Sequence, residues 1–398
     1  MGTPTLVYEK NLSSVQVYLS RVLSSLQIRS RGEMRATATL SATTARVTHV
    51  CNTRDPTGNA RRTPASLRRA REGHAPRIAR LGARIVHAMV DDDAPELPDY
   101  DVVTLGPLES SAIALSARDW TGGSDDANCY VAAIDRGYVL IAAFTSSELK
   151  LMKEYQGYWS MSEAAALSGV RPPVVYSIVD VDAAESVKDA AQALVAAAGG
   201  AEPDVLCISS KNSDAKALAN GVKAAWELGA CPGTVAVDGF DAARLEEFVE
   251  ALKDTPGIQV AFNRVPYSLA DRTFETNGTL ATCKRLGVGV VASSPLGEGS
   301  RVTNTTHAEC DQALVRLLAF LGAMVGGGVQ RSPLQVSLNY LMSKGLVPEI
   351  ETRLGSLAWE CGGSMLWRLD ENAIGILDER CEAVEKGETG DGGGPALA

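Results

Sequence analysis

The feature that most constrains this chain is a regular alternation of short apolar runs with amphipathic stretches, from about residue 98 to residue 385. VVYSIV (174–179) and DVLCIS (204–209) have the length and composition of buried strands, and residues 183–199 and 214–229 between and after them read as helices. Strands that alternate with helices form parallel sheets, because each parallel connection needs a crossover. The sequence therefore predicts an α/β domain.

The later units repeat the same pattern. They are strands at 234–240, 258–265 and 288–297 and helices at 241–254 and 274–287. Asp241 is a typical helix N-cap, and Gly287 is a typical residue just beyond a helix end. So many units favour a closed (β/α)₈ barrel, the TIM-barrel fold, over a small open sheet. No GxGxxG follows a strand, which argues against a Rossmann fold.

Charge is unevenly distributed along the chain. Residues 1–90 carry 15 Lys and Arg against 4 Asp and Glu, a balance of +11, and because the whole chain carries −10, the remainder carries −21. An acidic domain repels phosphate backbones, so we expect no nucleic-acid partner for the barrel. No apolar run reaches the roughly 18 residues of a membrane helix, so no membrane span is predicted.

The basic N-terminal region, residues 1–95, is rich in Arg, Ser, Thr and Ala and poor in acids. This composition is typical of organelle transit peptides, and 15–31 could form a basic amphipathic helix. We therefore predict a disordered targeting region and an organelle matrix, plastid or mitochondrion, with the cytoplasm as the alternative. A permanently attached tail, an RNA- or lipid-binding tail and a misplaced gene start stay open. A second disordered tail is predicted at 386–398.

Other polar features predict no metal site. The eight cysteines include no CxxC pair, which favours reduced thiols over a metal cluster or a disulfide framework. Asp125 and Asp126 are interpreted as a solvated loop, and GAMVGGGV (322–329) as a glycine-rich loop.

The late part of the domain carries motifs of a known family. The relevant segments are 240–272, 280–299, 332–350 and 367–379. They resemble, in order, the QLEEAL helix with NQVEYSLLxR, CKExGIxVxAYSPLGxG, TPAQVALxWLLxKG and the closing WxLxxEExxxLD helix of the aldo-keto reductases. Further upstream, 103–115 resembles the family's opening hairpin and first strand by pattern only.

The resemblance implies an NADP-dependent oxidoreductase that reduces carbonyls. In the family a tetrad of Asp, Tyr, Lys and His performs the proton chemistry at the barrel mouth. The aligned positions here hold Ala142, Ser147, Ile178 and Ser209, none of which can replace the family residue. We therefore predict no catalytic residue. His307 is the only histidine after residue 90, and Tyr155 and Tyr158 lie at least eight residues beyond the tyrosine position.

The positions that hold the cofactor are also altered. The family's carboxamide contacts correspond to Asp238, Gly239 and Arg264, and its stacking tyrosine corresponds to Ser293. The phosphate side is better matched, and the resemblance implies that the candidates there are Ser294, Leu296, Gly297, Arg353 and Glu360. A folding turn at 294–299 and a solvated pair of Arg353 with Glu360 are the structural alternatives. The sequence thus predicts NADP(H) binding that is weak or absent.

Three hypotheses follow from these residues. The first is a catalytically degenerate barrel that acts as a binding, scaffold or regulatory subunit, with a protein partner. The second is an NADP(H)-dependent oxidoreductase acting on aldehydes or ketones with relocated catalytic groups. The third is a faulty coding sequence, with residues 98–180 as the region that fits it, whose correct exons would carry the tetrad.

Overall fold

The structure is a computed structural model, and the part of the chain that it describes lies within the predicted barrel domain. The described residues are 101–161, 173–182, 186–297, 312–325 and 329–385. The targeting region at 1–95 and the tail at 386–398 lie outside them, so both stay predictions.

Eight parallel strands close into a barrel, which confirms the predicted fold. A two-stranded antiparallel hairpin precedes the barrel. The hairpin strands are β1 (Val102–Leu105) and β2 (Leu108–Ser111), and the barrel strands are β3 (Ala114–Ser116), β4 (Leu140–Ala143), β5 (Val174–Asp180), β6 (Val205–Ser209), β7 (Thr234–Asp238), β8 (Gln259–Pro266), β9 (Gly289–Ser293) and β10 (Val347–Glu351). They run in chain order around the barrel, and β10 closes it against β3.

The hairpin covers the N-terminal end of the barrel. Leu105, at the end of β1, packs where a side chain at Gly289 would otherwise sit, and the backbone at Gly106 approaches Ala261. Gly106 adopts a φ of 56°, a left-handed conformation that favours glycine. The prediction of an opening hairpin at 103–115 is confirmed, and chemistry is left to the opposite, C-terminal end.

Helices alternate with the strands along the described chain. They are α1 (Ser124–Ile134), α2 (Ser146–Met161), α3 (Ser186–Ala197), α4 (Ala215–Glu227), α5 (Ala242–Leu252), α6 (Thr273–Thr276), α7 (Thr279–Leu286), α8 (Gln312–Met324), α9 (Pro333–Ser343), α10 (Gly355–Gly362) and α11 (Glu371–Glu385). Asp241 caps α5 as predicted, since its carboxylate accepts the Arg244 amide at 2.9 Å. Gly287 ends α7 in a left-handed conformation.

Two boundary predictions were wrong. The helix predicted at 274–287 is two helices, because Gly278 has a φ of 85° and interrupts the helical hydrogen bonds between α6 and α7. The strand predicted at 288–297 ends at Ser293. Ser294 then adopts a φ of 52°, which turns the chain out of the sheet.

The core has an inner and an outer part. Small aliphatic and aromatic side chains fill the barrel itself: Leu105, Ala114, Leu140, Ala142, Tyr176, Val205, Cys207, Ala236, Ala261, Phe262, Val291 and Val347. Tyr176 and Phe262 meet edge to face at 5.1 Å between ring centres. The outer strand faces pack against the helices. Within the described residues, no helix is long and apolar enough to span a membrane.

Candidate functional site

Three of the four tetrad positions lie on neighbouring barrel strands. Ala142 is buried inside the barrel on β4, Ile178 packs against the same inner cluster on β5, and Ser209 is the last residue of β6. Ser147 is exposed in the first turn of α2. Alanine and isoleucine carry no titratable group, and a serine hydroxyl is a poor proton donor at neutral pH.

The alternative acids and bases lie elsewhere. Tyr155 lies on α2 and packs on Tyr130 of α1, with 4.9 Å between ring centres, so its ring belongs to the helical shell. The side chain of Tyr158 and all of His307 lie outside the described residues. The described residues contain no histidine, because the other three are at positions 49, 74 and 87.

Charged side chains occupy the inside of the barrel near its C-terminal end. Arg264 on β8 donates to both oxygens of Glu349 on β10, at 2.8 Å from Nε and 3.0 Å from Nη2. Its Nη1 donates to Oδ1 of Asp238 on β7 at 2.9 Å. The Tyr176 hydroxyl on β5 donates to Oε2 of Glu349. We refer to Tyr176, Asp238, Arg264 and Glu349 as the lumen network.

The titration of these groups is fixed by burial and by their partners. Burial alone would raise the pKa of Glu349, but the Arg264 charge and the hydrogen bonds from Arg264 and Tyr176 lower it below its ordinary value. Burial and then the Glu349 charge raise the pKa of Tyr176 far above its ordinary value. The pKa of the Cys207 thiol is also raised well above its ordinary value, mainly by burial and next by the negative charge of Asp238. At neutral pH these groups are a carboxylate, a phenol and a thiol, so none exchanges protons readily.

A second ion pair lies beside the lumen network. Arg118, just after β3, donates from Nε to Glu351 at the end of β10 at 3.1 Å. Its guanidinium stacks on the Phe144 ring at 3.6 Å, and the Arg264 guanidinium lies 5.4 Å from the centre of the same ring. Phe144 therefore joins the two ion pairs through cation–π contacts.

The positions aligned with the family's carboxamide contacts are part of this charged cluster. Asp238 and Arg264 bind each other, and Ser293 is buried at the end of β9. Sequence reasoning found Asp238 and Arg264 but missed Tyr176, Glu349 and Arg118. A buried-strand run containing Glu349 (VPEIE) was the available signal, because a carboxylate within such a strand needs an inward partner.

The candidates on the phosphate side begin with a tight turn. Ser294 is exposed, and its carbonyl accepts the Gly297 amide at 2.9 Å, so this amide is already used inside the turn. Leu296 packs against the apolar cluster formed by the first barrel strands and α1. Glu298 and Gly299, which complete the turn motif at 294–299, lie outside the described residues.

Arg353 binds a residue that the sequence analysis misjudged. Its Nε contacts Oδ1 of Asp126 at 2.7 Å, and Asp126 is fully buried. The other Asp126 oxygen accepts the backbone amides of residues 121–123, at distances from 2.8 to 3.2 Å. The interpretation of Asp126 as a solvated loop residue was therefore wrong. Its carboxylate organises the start of α1, where negative charge is favoured.

Glu360 is engaged with a different helix. It accepts the Ser332 hydroxyl at 2.9 Å, and its carbonyl accepts the Gln335 side chain at 3.0 Å. Ser332 is the N-cap of α9 and forms a capping box with Gln335. Arg353 and Glu360 thus each support the N-terminus of a helix, α1 and α9 respectively. Among the described residues, no group of three or more His, Cys, Asp or Glu side chains could hold a metal ion.

Comparison with known proteins agrees with this architecture. Residues 229–358 match the model of the aldo/keto reductase family. The resemblance is confirmed over this stretch, and the barrel has the fold of solved aldo-keto reductases. This stretch runs from the end of α4 into α10, so it includes Asp238, Arg264, Glu349 and the 294–297 turn.

Two solved structures from the silkworm Bombyx mori share the fold. The aldo-keto reductase AKR2E4 in complex with NADP is 19% identical, with a TM-score of 0.51 over 72% of this chain and 93% of its own. The aldo-keto reductase AKR2E5 is 16% identical, with a TM-score of 0.52 over 71% of this chain and 88% of its own. No curated protein sequence matched this chain.

Proposed function

We propose that this barrel is a catalytically degenerate relative of the aldo-keto reductases that acts as a binding, scaffold or regulatory subunit. The observation that carries the proposal is the lumen network. Where the resemblance places a tetrad and its cofactor contacts, the chain has Ala142, Ile178 and Ser209 beside an arginine bound to two carboxylates. Barrel packing and mouth chemistry are separable, so the fold can persist without the reaction.

The superfamily implies NADP(H) as cofactor, and the residues at the mouth do not fit its nicotinamide end. A carboxamide both donates and accepts hydrogen bonds, whereas Arg264 has no acceptor and three of its five N–H groups already bond to carboxylates. Nε of Arg353 is engaged with the buried Asp126 carboxylate. We therefore propose that NADP(H) binding is weak or absent and derive no catalytic step through it.

The second candidate is an NADP(H)-dependent reductase of aldehydes or ketones with relocated catalytic groups. Two observations favour it: the family match across 229–358, and the likeness to a barrel solved in complex with NADP. The relocated groups would have to lie outside the ion pairs of the mouth, since Arg118, Asp238, Arg264, Glu349 and Glu351 are engaged with one another.

A titration of the purified full-length chain separates the two candidates. NADPH is added while nicotinamide fluorescence is followed, and a generic aldehyde is then supplied, with an active aldo-keto reductase assayed in parallel. We expect no aldehyde-dependent oxidation of NADPH by this chain. Sustained turnover that depends on the protein would refute the degenerate barrel and establish the reductase.

The partner and compartment are parts of the same proposal. The acidic barrel and the basic region at 1–95 are consistent with a subunit that works in an organelle matrix with a protein partner. Fusing residues 1–95 to a fluorescent protein tests the targeting. Organelle localisation is expected, and a diffuse cytoplasmic signal would contradict it.

A further inference from the structure

The lumen network connects strands that are not neighbours in the barrel. β5 and β10 are separated by β4 and β3, and β10 and β8 are separated by β9. The hydrogen bonds from Tyr176 to Glu349 and from Arg264 to Glu349 therefore run through the interior of the barrel. Side chains from β5, β10, β8 and β7 are thus linked in one continuous chain that crosses the lumen.

Three of the four carboxylate oxygens of Glu349 and Asp238 accept a hydrogen bond within the lumen network, and the fourth is Oδ2 of Asp238. Both oxygens of Glu349 and Oδ1 of Asp238 accept hydrogen bonds from Arg264 or Tyr176. The Arg264 side chain is 13% exposed and that of Glu349 is 4% exposed. The bidentate pair of Arg264 and Glu349 is therefore largely shielded from solvent, and its two parallel hydrogen bonds fix its geometry.

From this arrangement we infer that the lumen network is an internal occupant of the barrel mouth and excludes a nicotinamide ring from it. The inference rests on the weak NADP(H) binding proposed above. It goes further because it attributes that weak binding to the four residues of the lumen network and not to the residues at the tetrad positions. A ring that entered the mouth beside the ends of β7 and β8 would have to displace Arg264, and this would leave Glu349 charged and buried without its partner.

The outer part of the mouth reinforces the exclusion. Arg118 closes over Phe144 and holds Glu351, so β3 and β10 are joined above the lumen network. A ring that entered the mouth would therefore meet this second ion pair as well as the lumen network.

The test removes the pair as a unit. Arg264→Gln combined with Glu349→Gln keeps the net charge, and the new amides can still bond to each other, to Asp238 and to Tyr176. We expect this double variant to bind NADPH at least about tenfold more tightly than the wild type, measured by calorimetry and by nicotinamide fluorescence. The control is Arg272→Gln with Glu275→Gln, an ion pair at the N-terminus of α6, for which no gain is expected.

Thermal unfolding and circular dichroism establish that each variant is folded. A folded double variant that binds NADPH no more tightly than the wild type would overturn the inference. Turnover by the wild type would instead refute the proposed function, so the two failures are distinguishable.

A comparison of ligands on the wild type alone covers a variant that fails to fold. 2′,5′-ADP carries the adenosine, the 2′-phosphate and one of the two bridging phosphates of NADPH, without the nicotinamide. If the lumen network excludes the ring, NADPH gains nothing over 2′,5′-ADP, and the two dissociation constants agree within about threefold. NADPH binding at least about tenfold more tightly than 2′,5′-ADP would contradict the inference.

Discussion

Two networks of tyrosines, cations and carboxylates hold this barrel together, one inside it and one between its helices. The inner one is the lumen network, in which one arginine serves two carboxylates. The outer one joins the loop after β8 to α6, α9 and α11, and we call it the helix network. Its members are Tyr267, Arg272, Glu275, Tyr340, Lys344 and Asp378.

The helix network is balanced and redundant. Glu275 accepts Tyr267 at 2.6 Å, Arg272 at 2.9 Å and Lys344 at 2.8 Å. Asp378 on α11 accepts Lys344 at 2.7 Å and lies 3.3 Å from Arg272. Each carboxylate has two cations, so the loss of one cation leaves the other.

The difference between the networks lies in burial and in spare partners. Glu349 is nearly inaccessible and has Arg264 as its close cation, whereas Glu275 and Asp378 are about 30% exposed and each have two. Water can compensate a charge that loses its partner at the surface but not one inside a barrel. Networks of similar composition should therefore respond very differently to substitution.

The largest effect is expected from Arg264→Ala. It leaves Glu349 buried without its cation, so we expect a loss of about 3–5 kcal/mol in the free energy of unfolding, measured in urea. Arg264→Met with Glu349→Leu should cost less, because the nearly inaccessible Glu349 charge is removed with its partner and only the more exposed Asp238 loses its cation. If the single variant lost less than about 1 kcal/mol, the mouth would be better hydrated than its exposure indicates.

A smaller effect is expected from acid on the helix network. Burial alone would raise the pKa of Glu275, but hydrogen bonds from Arg272, Lys344 and Tyr267 outweigh it and lower the pKa from 4.5 to about 2. This depressed pKa contributes stability that is complete above about pH 4.5 and is lost as the pH falls toward 2.

Glu275→Gln tests this acid sensitivity. Between pH 5 and pH 3 (about the upper half of that window), its melting temperature should fall less than that of the wild type, measured by calorimetry. Glu246→Gln, which removes an exposed partner of Arg285, should fall as the wild type does. Equal slopes for Glu275→Gln and the wild type would show that Glu275 does not titrate with folding.

The smallest effect is expected at the Arg285–Glu246 pair itself, where both side chains are about half exposed. Arg285→Gln should change the free energy of unfolding by less than about 0.5 kcal/mol, because solvent screens the pair. Urea titration at low and at high salt checks this value. A loss above about 1 kcal/mol would remove the contrast between surface and lumen on which the comparison rests.

The segment around residues 98–180 has a place in the fold. It supplies the hairpin and the strands β3, β4 and β5, in the order that the barrel requires. The hypothesis of a faulty coding sequence stays a prediction, and a transcript read across residues 90–210 tests it. Should the correct exons carry the tetrad, the lumen network would have to coexist with it or be replaced.

The sequence by itself determined the repeating units and most of their ends. The α5 cap at Asp241 and the C-terminal Gly287 depend on neighbours within a few residues, so local patterns were sufficient. It also determined which residue types stand at the tetrad positions. Local patterns predicted one helix where the structure has two, because the left-handed conformation of Gly278 separates α6 from α7.

Only the tertiary structure decided how the charged residues of the mouth are paired. Arg264 and Glu349 are 85 residues apart in sequence, Tyr176 and Glu349 are 173 apart, and Asp126 and Arg353 are 227 apart. No local pattern encodes such distant contacts, and closure of the barrel is what brings the strands together. The residue types at the aligned tetrad positions, Ala142, Ile178 and Ser209, can be read from the sequence. The lumen network cannot, because its pairing depends on burial, which exists only in the folded chain.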